Sequence, residues 1–202
     1  MSKLFIASTN RGKLKEIKAL LRDLPLALVT PDMIGIDLEV EEDGCFYSEN
    51  AALKAVAYAR ASGLVTLADD SGLEVEALGG LPGLRSARFS TIPGATDADR
   101  RRYLLQQLQG HPQPWKACFR CVVALSDPEG NVKFAQGECP GIIISDERGR
   151  NGFGYDPIFL LPELGLTMAE LDMRKKNRLS HRARAIIAAR PLLPLLFSGF
   201  AI

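Results

Sequence analysis

Apolar and polar positions along this chain follow two periods, and the switches between them lay out its elements. Leu4 to Ala7 form a short unbroken apolar run, which predicts a buried strand within residues 3 to 8. The polar stretch STNRGK (8–13) follows, after which Leu14, Ile17, Leu20, Leu21 and Leu24 recur at helical spacing through LKEIKALLRDL. Strand, polar turn and helix in this order open an α/β fold. SENAALKAVAYARASG predicts a second helix, with Ser48 at its N-cap and Gly63 at its end, and Asn50 and Lys54 share one face of it. LVTLA and GLEVEAL then read as two strands, the second alternating at Leu73, Val75 and Ala77. Asp69 and Asp70 fall at their junction.

In the second half, TDADRRRYLLQQLQG opens on a capping-box pattern, Thr96 with Asp99, and ends at Gly110, which predicts a helix. KACFRCVVALSDPEGNVKFAQGECPGIII reads as a hairpin turning through DPEGN, where Gly130 supplies a positive φ. A loop rich in Gly and Arg, DERGRNGFGYDP, leads into IFLL, a short helix near TMAELDM and a final helix from about Ser180. The hairpin makes the sheet mixed. The expected fold is thus α/β, a mixed β-sheet flanked by helices, in a single domain over residues 1–202, since 202 residues suit one well-buried core.

Composition narrows the function. Hydrophobic residues at 47% and charged residues at 24% are those of a globular chain, and a net charge of +1 gives no global attraction to nucleic acid or acidic membranes, so neither is expected as a partner. Anion chemistry must come from local clusters. Arg100, Arg101 and Arg102 read as a solvated helix turn, whereas RKKNRLSHRAR (174–184) gathers six basic side chains around His181. The N-terminal apolar run is too short for a signal peptide, and no stretch approaches the ~20 apolar residues of a membrane span. The C-terminal PLLPLLFSGFAI, broken by Pro191 and Pro194, reads as core or subunit contact. Cys45, Cys118, Cys121 and Cys139 read as reduced thiols of a cytoplasmic protein, and in a strand the CFRC pair points to opposite faces, which argues against zinc.

Three stretches carry candidate chemistry. Ser8, Thr9, Asn10, Arg11, Gly12 and Lys13, between a strand and a helix N-terminus, form a candidate phosphate cradle, although a bare turn looks much the same. Asp69 and Asp70 repel one another at the end of an apolar strand, a conflict that a hard cation such as Mg²⁺ resolves; Glu41, in EVEED, suits it as a second ligand to Asp70. The alternative is that both aspartates serve a turn at Ser71-Gly72. In GFGYDP, Phe153 offers a ring to stack on a base, and His181 with Arg182 offers donors to an acceptor oxygen.

Taken in order, STNRGK, EEDG, SENAALKA, LADDSGLEVEALGGLPG, SARF, GFGYDPIF, KN and SHRARA resemble the inosine/xanthosine triphosphate pyrophosphatase family over nearly the whole chain. The resemblance implies an elongated two-lobed α/β domain with a long mixed β-sheet, a nucleotide cleft between the lobes and a homodimer. It also implies Mg²⁺-dependent hydrolysis of ITP, dITP and XTP to the monophosphate and pyrophosphate. By matching positions, Asp70 is similar to the general base, Asp69 to a helper, and Glu41 and Asp70 to the metal ligands. Ser8 to Lys13 and Lys54 are similar to phosphate contacts and Ser71 to a substrate contact. Phe153, Gly154, Tyr155, Asp156, Lys176, His181 and Arg182 resemble the base-side pocket, where Arg182 or His181 would serve the 6-keto oxygen. Asp43, often Thr in the family, and Arg174 and Lys175, often acidic, are departures that bear on substrate ranking. Rival readings are a pyrophosphatase of modified pyrimidine triphosphates, and a non-catalytic nucleotide- or RNA-binding module built on 174–184, which leaves the carboxylates unexplained.

Overall fold

The computed structural model describes residues 1–197, so the last five residues of the apolar C-terminal stretch lie outside the described residues. The first half runs β1 (Ser2–Ile6), α1 (Arg11–Leu21), β2 (Leu26–Val29), α2 (Pro31–Ile34), α3 (Tyr47–Ser62), β3 (Thr66–Val75) and β4 (Pro82–Gly83). The second runs α4 (Asp97–Gln107), β5 (Trp115–Ser126), β6 (Val132–Ile143), β7 (Phe159–Leu161), β8 (Leu166–Thr167), α5 (Met173–Leu179), α6 (His181–Ala189) and α7 (Leu193–Phe197). The eight strands form one mixed sheet in the order β2-β1-β3-β5-β6-β7-β8, with β4 paired to β3. β1 lies parallel to β2 and β3, while β7 is antiparallel to β6 and β8.

The chain divides into two compact units. The first holds residues 1–70, 121–137 and those from Arg182 onward; the second holds 71–120 and 138–181. In the first, Leu4, Ile6 and Leu67 pack with Ile17, Leu20 and Leu21 of α1 and with Ala183, Ile186 and Ala189 of α6. Phe5, Ala7 and Ala68, pointing the other way from the same strands, pack with Ala51, Ala55 and Tyr58 of α3. In the second unit Leu73, Val75, Leu104, Phe119, Ile158 and Phe159 share a core. Of the C-terminal stretch, Leu193 and Leu196 are buried in the first unit's core, while Leu195 is exposed.

Several expected boundaries move. α1 begins at Arg11 rather than Leu14, because the Asn10 side chain caps it, accepting from Lys13 N at 3.0 Å, so Arg11 to Lys13 form its first turn. α3 is capped at Phe46 rather than Ser48. Glu49 Oε2 accepts from Cys45 N at 2.7 Å and Phe46 N at 3.3 Å, and one acid satisfying two orphan amides displaces the hydroxyl. LVTLA and GLEVEAL are not two strands. They join in β3, a single ten-residue strand, with Asp69 and Asp70 in its interior. The hairpin, its turn with Gly130 at φ +94°, and the capped α4 stand as the sequence predicts.

Candidate active site

Strand geometry settles how two aspartates sit side by side. Successive side chains of β3 face opposite ways, so Asp69 follows Leu67 toward α1 and α6, and Asp70 follows Ala68 toward α3. Both are buried, at 2% and 7% exposure. Asp69 Oδ2 lies 3.1 Å from Lys13 Nζ and accepts from Arg182 Nε at 3.1 Å, with the Cys121 thiol 3.9 Å away. Asp70 Oδ2 accepts from Asn50 Nδ2 at 3.1 Å. The expected conflict between neighbours is therefore relieved by geometry and by Lys13 and Arg182, before any metal is invoked.

Their charges are tuned in opposite directions. Burial works against ionised Asp69, but Lys13, Arg182 and Lys54 together outweigh it and hold the carboxyl well below the ordinary value of 3.8. For Asp70 burial wins over Lys54, Lys13 and the Asn50 amide, and pushes the carboxyl above that value. A buried carboxylate of raised basicity is the property a general base or cation seat requires.

Lys54, one turn beyond Asn50 on α3, donates to the Asp69 carbonyl at 2.9 Å and to Glu42 Oε1 at 3.1 Å. The shared face expected of Asn50 and Lys54 is thus turned onto the aspartate pair. Glu41 is exposed, and its neighbour Glu42 is the acid held beside Lys54. Asn50 also ties down the acidic loop: its Oδ1 accepts from Gly44 N at 2.9 Å, and a Cβ at Gly44 would stand 2.7 Å from that oxygen. Asp43 is exposed. Ser8, Gly12 and Lys13 are half-buried and Thr9, Asn10 and Arg11 exposed, so part of the cradle faces solvent at the α1 N-terminus.

The cation expected here can be tested against these donors. Asp70 offers a buried carboxylate on the face it shares with α3, whereas the Asp69 Oδ1 that is buried without a hydrogen-bond partner lies on the opposite face of the strand. Hard oxygens of this kind suit Mg²⁺. Among the described residues no group of three or more His, Cys, Asp or Glu forms a complete cage, so waters and ligand oxygens would have to fill the shell.

Arg182, which the resemblance sets beside the base, is 1% exposed, and its Nε bonds Asp69 while Nη1 bonds Glu16, itself buried on α1. The guanidinium stays charged because Asp69 and Glu16 overcome the burial that opposes it. Sequence reasoning passed over Glu16 and gave Asn50 and Glu42 no role. An acid one turn before Leu20 in an apolar stripe was the legible signal for Glu16; nothing in the pattern marked Glu42 over Glu41.

The residues that the resemblance sets beside the base lie in the second unit, except Arg182. Asp156 Oδ2 accepts from Phe153 N at 2.9 Å and pairs with Lys176 Nζ; Asp156 and Lys176 are both buried. Lys176 Nζ stands 5.0 Å from the Phe153 ring centroid, over its face. Gly152, at φ +77°, is required: a Cβ there would come within 1.9 Å of Asp156 Oδ2. Tyr155 is buried and donates its hydroxyl to Ser86 O at 2.9 Å. His181 is buried and stacks on Phe119, centroids 4.6 Å apart. Asp156, Lys176 and Tyr155 thus build the loop, while Phe153, Gly154 and Ser71 remain half-buried. Arg174 and Lys175 are exposed.

Fold and site together define an α/β protein with an acidic centre backed by Lys13 at a helix N-terminus and by Lys54 of α3, a class suited to phosphate chemistry. The chain belongs to the Ham1 family, whose sequence model matches residues 4–192. It is 45% identical to the dITP/XTP pyrophosphatase of Desulforamulus reducens, over 96% of this chain and 97% of that one. It is 46% identical to the dITP/XTP pyrophosphatase of Geobacter sulfurreducens, over 92% and 94%. The solved HAM1 protein of Coxiella burnetii matches with a TM-score of 0.86 at 38% identity, covering 96% of this chain and 99% of that chain. Among the described residues no helix is long and apolar enough to cross a membrane.

Proposed function

We propose that this chain hydrolyses non-standard purine nucleoside triphosphates, ITP, dITP and XTP, to the monophosphate and pyrophosphate, acting in the cytoplasm on the nucleotide pool. The observation that carries the reading is Asp70: a buried carboxylate of raised basicity, held by Asn50, in the same compact unit as Lys13 and Lys54. The likeness to proteins named dITP/XTP pyrophosphatase supports the substrate class.

In this reading the α1 N-terminus, Ser8 to Gly12, Lys13 and Lys54 hold the triphosphate, their donors and charge matching its oxygens. Asp70 accepts the proton of a water whose oxygen bonds to the α-phosphorus, while the bond from that phosphorus to the bridging oxygen breaks and pyrophosphate leaves. Asp69 fixes Lys13, and Arg182 with Glu16 fixes Asp69. Asp70, with Glu41 or Glu42, would hold Mg²⁺, which when bound offsets charge on the phosphate oxygens. Phe153 is the platform for the base, with Ser71 at the substrate and His181 bordering the base pocket. The four cysteines, none in a disulfide among the described residues, fit a reducing compartment. A homodimer belongs to the same proposal, exposed Met33 and Phe46 supplying apolar surface for a subunit contact, and the mass in solution checks it.

The test is ITP with Mg²⁺ in ¹⁸O-labelled water. Equal amounts of IMP and pyrophosphate, with the label in IMP, are expected. IDP with orthophosphate, or label in pyrophosphate, refutes the reading.

A further inference from the structure

Helix α4 holds an arrangement that the reading above does not use. Asp97 and Arg101, four residues apart on one face, grip both polar groups of a single residue: Asp97 Oδ2 accepts from Gly154 N at 2.8 Å, and Arg101 Nη1 donates to Gly154 O at 2.8 Å. Each gripping group is itself held. Arg100 bonds Asp97 Oδ1 through Nη2 and the Ala95 carbonyl through Nη1. Arg101 makes a bidentate pair with Glu147, at 2.8 and 2.9 Å. The Thr96 and Asp99 capping box fixes the turn from which both project. Arg101 is therefore no solvated arginine of a basic run, its side chain being 12% exposed.

Gly154 follows Phe153 directly. On the N-terminal side the same ring is pinned, since Phe153 N donates to Asp156 and Lys176 stands over its face. With Gly154 clamped to α4, the peptides on both sides of Phe153 have fixed partners, so the ring's direction is set by α4 as well as by its own loop. The geometry points to Asp97 and Arg101 as positioning residues that aim Phe153 and so set base selectivity. The inference rests on the reading of Phe153 as the base platform. Burial works against ionised Asp97, but Arg100, the Gly154 amide and Arg101 hold its carboxyl below the ordinary value, so the acceptor keeps its charge at working pH.

The experiment compares Asp97→Ala, Arg101→Ala, the conservative Asp97→Asn and Arg101→Lys, and Arg102→Ala as control. Arg102 pairs with Asp99 in the same basic run and its side chain is 66% exposed. kcat and KM are measured for ITP and ATP with Mg²⁺, and hydrogen exchange is measured at the Gly154 amide. The alanine variants should raise KM for ITP about tenfold, the effect of one lost charge-assisted hydrogen bond. In these variants kcat should stay within about twofold and the ITP-to-ATP preference should shrink. Asp97→Asn, which keeps an acceptor, and Arg101→Lys, which keeps a donor, should lie between; Arg102→Ala should match wild type. The Gly154 amide should exchange roughly tenfold faster in Asp97→Ala. Unchanged KM and preference in folded alanine variants overturn the inference, as does unchanged exchange. Should the alanine variants not fold, the conservative pair decides: an intermediate KM and exchange rate supports the clamp, and wild-type values overturn it. If wild type does not turn over ITP, the functional reading fails, whereas the exchange measurement still reports whether the clamp exists.

Discussion

Replacing Asp70 by Asn should stabilise the protein while removing its activity, and replacing the adjacent Asp69 by Asn should do the reverse to stability. Asp70 is buried at 7% exposure and its carboxyl is pushed above 3.8, so folding opposes its charge. Asn has nearly the same volume, retains an acceptor for Asn50 Nδ2, and carries no charge to desolvate. Relief of a functional residue of this kind gains on the order of 1 kcal/mol, or roughly 2–4 °C in Tm for a chain of this size. Asp69 has the opposite environment, a carboxylate between Lys13 and Arg182. Removing one partner of a buried pair costs about 3–5 kcal/mol, a fall of roughly 6–20 °C. The pH dependence separates the two as well. Folded Asp70 binds its proton more tightly than unfolded, so the charge penalty, and with it the Asp70→Asn gain, exists at neutral pH and disappears as pH falls toward 3.8. Folded Asp69 binds its proton less tightly, so its stabilisation is present above 3.8 and is lost only as pH falls below 3.8 toward the lower folded value. Thermal melts of wild type and both variants at pH 8 and near pH 4, with ITP turnover at pH 8, provide the assay. Asp70→Asn should lose roughly 10²- to 10⁴-fold in kcat. A drop in Tm for Asp70→Asn at pH 8, or retained turnover, refutes the account of Asp70 as a destabilising catalytic carboxylate.

Further outcomes follow from the same geometry. Asn50→Ala removes a hydrogen bond that favours ionised Asp70, so the acidic limb of the pH–kcat profile should move to higher pH; an unmoved limb disconnects Asn50 from the base. Arg182→Ala removes the guanidinium that bridges the buried carboxylates of Glu16 and Asp69 and should cost about 3–5 kcal/mol in urea unfolding, a loss that Glu16→Gln in the same chain should partly restore. Gly152→Ala combines a positive φ with a Cβ 1.9 Å from Asp156 Oδ2, and should lower Tm and raise KM for ITP, both read on the purified variant. Chelation with EDTA should abolish turnover and added Mg²⁺ restore it; turnover indifferent to chelator removes the metal from the proposal.

Local rules were enough for most of the elements. The apolar run at Leu4–Ala7, the helical spacing from Leu14, the alternation at Leu73 and Val75 and the DPEGN turn are signals carried by neighbours in sequence, because period and turn chemistry are local properties. They determined an α/β fold with a mixed sheet, and the order of motifs identified the family. Where the strand ended was not local. Asp69 and Asp70 looked like a break because two carboxylates are poor strand interior, and the break vanishes only when Lys13, Arg182 and Asn50 arrive from α1, α6 and α3 to meet them. Arg182 and Asp69 are 113 positions apart, and Glu16 and Arg182 are 166 apart. No spacing rule reaches that far. The sequence by itself thus determined which residue types were present for anion chemistry and which elements would carry them. The tertiary structure alone decided which charges pair: Arg182 with Asp69 and Glu16, Lys176 with Asp156, Arg101 with Glu147 and the Gly154 carbonyl. The physical reason is that the ionisation and orientation of a buried group depend on desolvation and on charges a few ångströms away, and folding brings those neighbours from anywhere in the chain.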